Sequence, residues 1–277
     1  MAGYLIGVTI FDLQEFILLA LGGFFVTGSA NGFNQCLEQE HDGLMERTRL
    51  RPLPQKKISS INAVLFSFVI GVLGFYLLSL IKPHGSFYGF LSKSSAFGLL
   101  SLMIYVLSYT PLKRMSTVSI FIGAIPGAIP VLLGWVAATD DFGLAVGVLF
   151  AIQFLWQFPH FISISWIRDD EYKKAGFKMM YGGTKGVYPA LLAFITSIFM
   201  TTVSVLPFFF NMDGLNLSSP SFILILLVGL WFTSNSYKLL QQVNDSSAKK
   251  LMLSSLIYLP FMQIVYVLDK WVITYFL

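Results

Sequence analysis

Three polar side chains that could bind a metal ion recur at four-residue intervals near the end of an apolar segment. They are Asn34, Glu38 and Asp42, and they follow the apolar run Leu13–Ala30. On an α-helix each step of four residues turns the side chain by only about 40°, so the three share one narrow face. Mg²⁺ prefers hard oxygen ligands and binds through a few carboxylates plus substrate phosphates. The spacing therefore predicts a site that holds a phosphorylated compound through a divalent cation.

Basic side chains follow directly after Asn34, Glu38 and Asp42, which together form the acidic stripe. Arg47, Arg49 and Arg51 lie in the next turns of chain, and Lys113 and Arg114 lie in a later segment, YTPLKR. Such cations could neutralise the phosphate charge that a metal leaves uncompensated. The alternative is that they are ordinary interfacial charges that keep loops in water. The closeness of the stripe to an apolar run favours function, because polar groups near membrane depth are costly.

A second acidic segment, RDDEYKKAG, contains Asp169, Asp170 and Glu171. The first acidic segment, Glu38–Lys57, likewise carries both acids and bases, and one similar set of apolar runs separates the two segments. This resemblance is weak evidence for an internal duplication. Two loops on one face of a helical bundle can converge. We therefore expect these three acids to supply a second set of metal ligands, without deciding which of them bind.

The composition indicates a polytopic membrane protein. Of 277 residues, 56% are hydrophobic and 12% are charged, and the mean hydropathy is +0.73. A soluble domain carries about 25% charged residues, so this chain could not cover a water-facing surface. The net charge of +4 is concentrated on one predicted membrane face, which makes nucleic acid a poor explanation for it. The single Cys36 excludes an intrachain disulfide.

Runs of about 20 apolar residues, enough to cross a bilayer, predict eight full spans and one partial one. The partial span, Met1–Ile10, resembles the tail of a span whose beginning is missing. The full spans are Leu13–Ala30, Ile58–Leu80, Ser95–Thr110, Val118–Ala138, Phe142–Ile167, Val187–Phe210, Ser221–Leu239 and Leu251–Leu277.

Alternation of these spans places 15 of the 18 Lys and Arg residues on one side of the membrane. The opposite side keeps only Lys82, Lys93 and Lys270. Because cytoplasmic loops carry an excess of Lys and Arg, we expect the charged loops, and the site they form, to be cytoplasmic in a cell (inner) membrane.

Two segments within the spans are unusual. The segment FLWQFPHF places His160 directly after Pro159, which should kink the helix, and next to Trp156. A histidine in a span can bond across helices, transfer protons or approach a metal, and the spacing alone favours a packing or hydrogen-bonding role. The segment GAIPGAIPVLLGW, Gly123–Trp135, predicts either a kinked, tightly packed helix that lines a cavity or a purely structural bend.

Taken in order, these motifs resemble those of the UbiA-type intramembrane prenyltransferases. The resemblance rests on NxxxExxxD running into MERTRLRPLP, then on YTPLKR, GAIPGAIPVLLGW, FLWQFPHF and DEYKKAG. The RTRLRPLP part is typical of the whole family, and WQFPHF is typical of the branch that acts on haem. The motifs cover most of the chain from the first full span to the second acidic loop.

The resemblance implies a fold, a reaction and a set of site residues. The fold is a single all-α domain, residues 1–277, a bundle of about nine transmembrane helices around a central cavity. The reaction transfers farnesyl from farnesyl diphosphate, bound through Mg²⁺, to a vinyl group of haem B. The catalytic residues would be Asn34, Glu38, Asp42 and Lys113. The substrate-binding residues would be Arg47, Arg51, Arg114, Trp156, His160 and Tyr172. The metal ligands would be Asn34, Glu38, Asp42, Asp169, Asp170 and Glu171.

Three other functions remain open from the sequence. They are prenylation of a quinone precursor, transport of a small solute or ion, and a structural role in oxidase assembly. A transporter would not need an arginine-rich motif beside the acidic stripe on one face. Besides the substrates and the bilayer, the expected partners are haem-processing or terminal oxidase assembly proteins.

Overall fold

The computed structural model describes residues 1–83, 92–212 and 214–276, with only the backbone for 273–276. Apart from an isolated bridge between Met212 and Leu215, these residues form no β-structure. The helices are α1 Ala2–Gly7, α2 Leu13–Leu37, α3 Gln39–Leu44, α4 Ser60–Ser79, α5 Lys93–Met103, α6 Thr110–Met115, α7 Ser119–Thr139, α8 Leu144–Ile167, α9 Asp169–Lys174, α10 Val187–Phe209, α11 Ser219–Gln242 and α12 Asp245–Phe276.

Eight of the described helical segments are long and apolar enough to cross a membrane, which confirms the predicted all-α fold and the eight full spans. A π-helical turn, Ile104–Tyr109, joins α5 and α6 into one of these segments. The first span continues beyond Ala30 to Leu37, so Asn34 lies on the helix itself. The predicted last span ends at Leu277, which lies outside the described residues.

Short polar side chains start several spans. Asp12 accepts a hydrogen bond from the Glu15 backbone N–H at 3.0 Å, and Ser59 accepts one from the Asn62 N–H at 3.2 Å. Ser92 does the same for α5. These caps satisfy backbone donors that have no partner within the first helical turn.

Two compact units make up the chain. One contains residues 12–126 and 168–183, and the other contains 1–11, 127–167 and 184–277. Both acidic segments and the basic residues Arg51 and Lys113 belong to the first unit. Trp156 and His160 belong to the second. The assignment of a single domain stays a prediction.

Glycine allows close packing within both units. In the first unit a Cβ on Gly74 would lie 2.8 Å from the backbone nitrogen of Val26, so α2 and α4 cross at backbone contact. In the second unit a Cβ on Gly127 would lie 2.0 Å from Gln157 Oε1. The GAIPGAIP segment is a continuous part of α7, and its glycines make room for polar side chains of neighbouring helices.

The two acidic segments begin with the same backbone geometry. Glu38 joins α2 to the six-residue α3 with φ −106° and ψ 12°, and Arg168 joins α8 to the six-residue α9 with φ −105° and ψ 13°. A long helix, one junction residue and one short helix therefore occur twice. This repeat supports the internal duplication that the sequence indicated weakly.

Candidate active site

The acidic stripe crosses the junction between α2 and α3 without losing its spacing. The Glu38 N–H donates to the Asn34 carbonyl at 2.9 Å, and the Asp42 N–H donates to the Glu38 carbonyl at 2.8 Å. These bonds between residues four apart continue the helical ladder through a residue whose own dihedral angles are not helical. All three residues are buried, with exposed fractions of 7%, 4% and 1%.

Each carboxylate of the stripe has its own cation. Lys113 Nζ lies 2.8 Å from Glu38 Oε1, and Arg51 Nη1 donates to Asp42 Oδ2 at 2.7 Å. Both groups of the lysine pair are buried, and Lys113 is the one partner of Glu38 Oε1 among the described residues. The structure therefore brings four of the predicted site residues together as two pairs.

Lys113 of α6 lies against two aromatic rings, Tyr109 in the preceding π-helical turn and Phe177 after α9. Its ammonium lies 4.7 Å from the centre of the Tyr109 ring and 5.8 Å from that of Phe177. The Tyr109 ring fits because Gly123 has no side chain: a Cβ there would lie 2.6 Å from it. These contacts orient a lysine that is only 9% exposed.

Thr110, the first residue of α6, holds the Asn34 side chain of α2 in place. Asn34 Nδ2 donates to Thr110 Oγ1 at 3.1 Å. The amide is thereby oriented, and its oxygen Oδ1 keeps its lone pairs for a ligand.

Arg51 reaches Asp42 because the intervening chain folds into consecutive turns. The Arg49 N–H donates to the Met45 carbonyl, and the Arg51 N–H donates to the Thr48 carbonyl, both at 2.9 Å. The buried Thr48 hydroxyl donates to the Asp42 carbonyl at 2.8 Å. Arg47 in the same segment is exposed.

The second acidic segment also pairs its acids with cations. Lys173 donates to the buried Asp169 at 2.7 Å, which raises the pKa of Lys173, and Arg168 donates to Glu171 at 3.1 Å. Asp170 is exposed.

The two acidic segments contact each other, and the second one also contacts α6. The Lys178 N–H donates to the Lys113 carbonyl at 2.6 Å. Met45 of the first segment packs in one apolar cluster with Ala175 and Phe177 of the second. Residues far apart in sequence thus form one site within the first unit.

His41 contacts both α6 and the second acidic segment, although no motif in the sequence singled it out. Its Nδ1 lies 2.7 Å from the Ala175 carbonyl oxygen, and Arg114 Nη1 lies 3.0 Å from its Nε2. A carbonyl only accepts and a guanidinium only donates, so Nδ1 of His41 donates to Ala175 and Nε2 accepts from Arg114. The ring also packs against Phe177, 5.3 Å between centres. The only sequence signal was its position, directly before Asp42.

We expect His41→Phe to loosen the second acidic segment. The ring packing against Phe177 survives the change, whereas both hydrogen bonds are lost. The loss of about 1–1.5 kcal/mol of hydrogen bonding should speed amide hydrogen exchange in residues 175–183 about tenfold. The matched control is Gln55→Leu, which removes an exposed side-chain bond to the Arg49 carbonyl. Unchanged exchange in His41→Phe would show that other contacts hold the segment.

Tyr172 lies at the edge of the cluster that joins the two acidic segments. Burial raises the pKa of Tyr172, and the charges of Arg47 and Arg168 partly oppose that shift. The negative charges of Glu171 and Glu38 raise the pKa further. The phenol therefore stays protonated at neutral pH and can donate a hydrogen bond to an anion.

The donor set fits Mg²⁺ in chemistry. Asn34, Glu38 and Asp42 offer hard oxygens, and the buried Glu38 Oε1 has only the Lys113 ammonium beside it among the described residues. Within the described ranges no three His, Cys, Asp or Glu residues lie close enough to hold an ion by themselves. A metal here would thus need substrate oxygens as well, and the lysine and arginine would have to release the carboxylates.

The second unit contains the remaining predicted site residues. Trp156 and His160 lie one turn apart on α8, with their rings stacked at 4.5 Å between centres. Both contact Ser255 of α12. Pro159 lies inside a helix that runs on to Ile167.

The sequence pattern of the UbiA prenyltransferase family matches residues 1–259, and the chain belongs to that family. It is 41% identical to a protein of Flavobacterium psychrophilum over 98% of this chain and 88% of that protein. It is also 41% identical to one of Christiangramia forsetii, over 98% of this chain and 87% of that one. Both relatives are named protoheme IX farnesyltransferase.

Solved structures share the fold. A digeranylgeranylglyceryl phosphate synthase superposes with a TM-score of 0.79 at 21% identity, over 97% of this chain and 90% of that one. A UbiA homologue from Archaeoglobus fulgidus, bound to GPP and Mg²⁺, superposes with a TM-score of 0.64 at 16% identity, over 96% and 95% of the two chains.

Proposed function

We propose that this membrane protein transfers a farnesyl group from farnesyl diphosphate to a vinyl group of haem B and so produces haem O. The similarity along 98% of the chain to relatives named protoheme IX farnesyltransferase carries the proposal. The paired acids and bases of the first unit support it, because they suit a metal-bound diphosphate.

Asn34, Glu38 and Asp42 would hold Mg²⁺, with Asp169, Asp170 and Glu171 as the second set of ligands. When bound, Mg²⁺ draws negative charge onto the diphosphate and makes it a better leaving group. The A. fulgidus homologue bound to GPP and Mg²⁺ supports this cofactor.

The basic residues of the site stabilise the departing diphosphate. Lys113 and Arg51 are positioned 2.8 Å and 2.7 Å from the carboxylates, so they can move onto phosphate oxygens when a metal takes those carboxylates. Arg47 and Arg114 add positive charge, and the Tyr172 hydroxyl adds a hydrogen-bond donor. Preorganised charges of this kind lower the barrier as negative charge develops on the leaving group.

The chemical step forms one carbon–carbon bond. The C–O bond of farnesyl diphosphate breaks, and diphosphate leaves with the electron pair. The terminal carbon of the haem vinyl group attacks the allylic cation. Water then adds to the resulting carbocation and loses a proton, which leaves the hydroxyl group of haem O. Exclusion of bulk water before the attack protects the allylic cation.

We further propose that the site opens to the cytoplasm. The eight spans, taken with the excess of Lys and Arg on one side, support that orientation. Farnesyl diphosphate would then reach its site from the cytoplasm and haem B from the bilayer.

A competition assay tests the substrate assignment. Purified protein in detergent receives farnesyl diphosphate and Mg²⁺ with equal amounts of haem B and 4-hydroxybenzoate, and products are identified by mass spectrometry. We expect haem B to gain one farnesyl group and one water, and 4-hydroxybenzoate to remain unchanged. Prenylated benzoate without haem O would assign the protein to quinone synthesis. No conversion of either compound would favour transport, because detergent solution offers no second compartment.

A further inference from the structure

Trp156 and His160 form a rigid pair anchored to a single residue of the neighbouring helix. Their rings are nearly parallel, with an interplanar angle of 17°. Trp156 Nε1 donates to the Ser255 carbonyl at 2.9 Å, and His160 Nδ1 lies 2.8 Å from Ser255 Oγ. The orientation of both rings is therefore fixed by α12.

The hydrogen bonds of Ser255 determine which nitrogen of His160 carries the proton. A serine hydroxyl has one proton, and Ser255 donates it to the Met252 carbonyl at 2.6 Å. Its oxygen can then only accept, so the proton between the two side chains belongs to His160 Nδ1. The lone pair of the imidazole consequently lies on Nε2.

Nε2 of His160 has no hydrogen-bond partner among the residues that the structure describes. The side chain is half-buried rather than fully enclosed. Metal-binding histidines use this arrangement: one ring nitrogen donates to a fixed oxygen while the other carries the free lone pair.

The residues around His160 indicate which kind of metal centre its imidazole can bind. In the described part of the chain, His160 belongs to no group of three or more His, Cys, Asp or Glu residues that could hold a metal ion by themselves. Haem iron needs no such cluster, because the porphyrin supplies four nitrogens and one protein side chain supplies the axial ligand.

We infer that His160 Nε2 binds the iron of the haem substrate as an axial ligand, an inference that rests on the proposed function. Ser255 is then a positioning residue, which holds the imidazole in the correct tautomer and orientation. Iron binding at a fixed point would hold the porphyrin at a fixed height above α8.

Haem B titration of the purified full-length protein, followed by absorption and electron paramagnetic resonance spectra, tests this inference. We expect a histidine-ligated spectrum in the wild type and its loss in His160→Gly, with imidazole restoring it. Ser255→Ala should weaken haem binding about tenfold. Ser254→Ala is the matched control: among the described residues that buried hydroxyl bonds only to the Leu251 carbonyl of its own helix, and its removal should have no effect.

Farnesyl transfer to metal-free protoporphyrin IX separates this inference from the proposed function. We expect the wild type to favour haem B over protoporphyrin IX at least tenfold in kcat/KM, and His160→Gly to lose that preference. If His160→Gly keeps both the spectrum and the preference, the inference is wrong, although haem O formation by the wild type would still support the proposed function. A wild type that makes no haem O would overturn the proposed function instead.

Discussion

Asp42→Asn is expected to reduce farnesyl transfer by about 100- to 1,000-fold, the loss typical of removing one preorganised charge or donor from a site. Asp42 is the most buried acid of the stripe, and its carboxylate is held by Arg51 at 2.7 Å. Asparagine has nearly the same shape but no charge. It therefore binds Mg²⁺ weakly and cannot form the ion pair that positions Arg51. Haem O formed per unit of purified protein, measured by mass spectrometry, gives the result.

The same variant should still insert in the membrane and elute as a folded protein. Glu40→Gln is the matched control, because Glu40 is an exposed acid on the same short helix. It should keep nearly full activity. Normal turnover in Asp42→Asn would contradict the assignment of this residue to the site.

Lys113→Met is expected to lower both stability and activity. Lys113 is buried beside the buried Glu38 carboxylate, at 2.8 Å. Removing one partner of a buried pair leaves an uncompensated charge, which costs about 3–5 kcal/mol of unfolding free energy. Activity should fall about 100-fold or more, because the ammonium is also needed for the diphosphate. Thermal unfolding in detergent and the haem O assay measure the two effects.

The double variant Lys113→Met with Glu38→Gln separates these effects. The Glu38→Gln change removes the buried carboxylate that Lys113→Met leaves without a cation, so the double variant should recover most of the lost unfolding free energy. It should recover no activity, because both the cation and the metal ligand are gone. Lys174→Met, at an exposed position of α9, is the control for loss of a lysine. Recovery of activity in the double variant would show that the pair acts only in folding.

The sequence was sufficient to predict the acidic stripe because its order is local. Asn34, Glu38 and Asp42 lie four residues apart, and hydrogen bonds between residues four apart keep them aligned even where the helix is interrupted at Glu38. The spans were predictable for a similar reason, since hydropathy is a property of each segment by itself. Only their ends were misplaced, as at Leu37, where helical bonds continue beyond the apolar run.

The contacts that position the candidate residues within each unit could not be predicted, because they join residues that are distant in sequence. His41 and Ala175 are 134 positions apart, and Trp156 and Ser255 are 99 apart. Neither Thr110 nor Ser255 has a spacing that distinguishes it from other hydroxyl residues of the spans. Lys113 and Arg51 lie beside the acids of the stripe, but their pairing with individual carboxylates depends on how the chain folds.

The central claim is that the acidic stripe holds a metal-bound diphosphate, and a structure with Mn²⁺ and the unreactive analogue farnesyl thiodiphosphate tests it directly. We predict an anomalous Mn²⁺ signal at Glu38 and Asp42, with Lys113 and Arg51 moved from these carboxylates to the diphosphate oxygens. An analogue bound elsewhere, with both ion pairs intact and no ion at the stripe, would contradict the account.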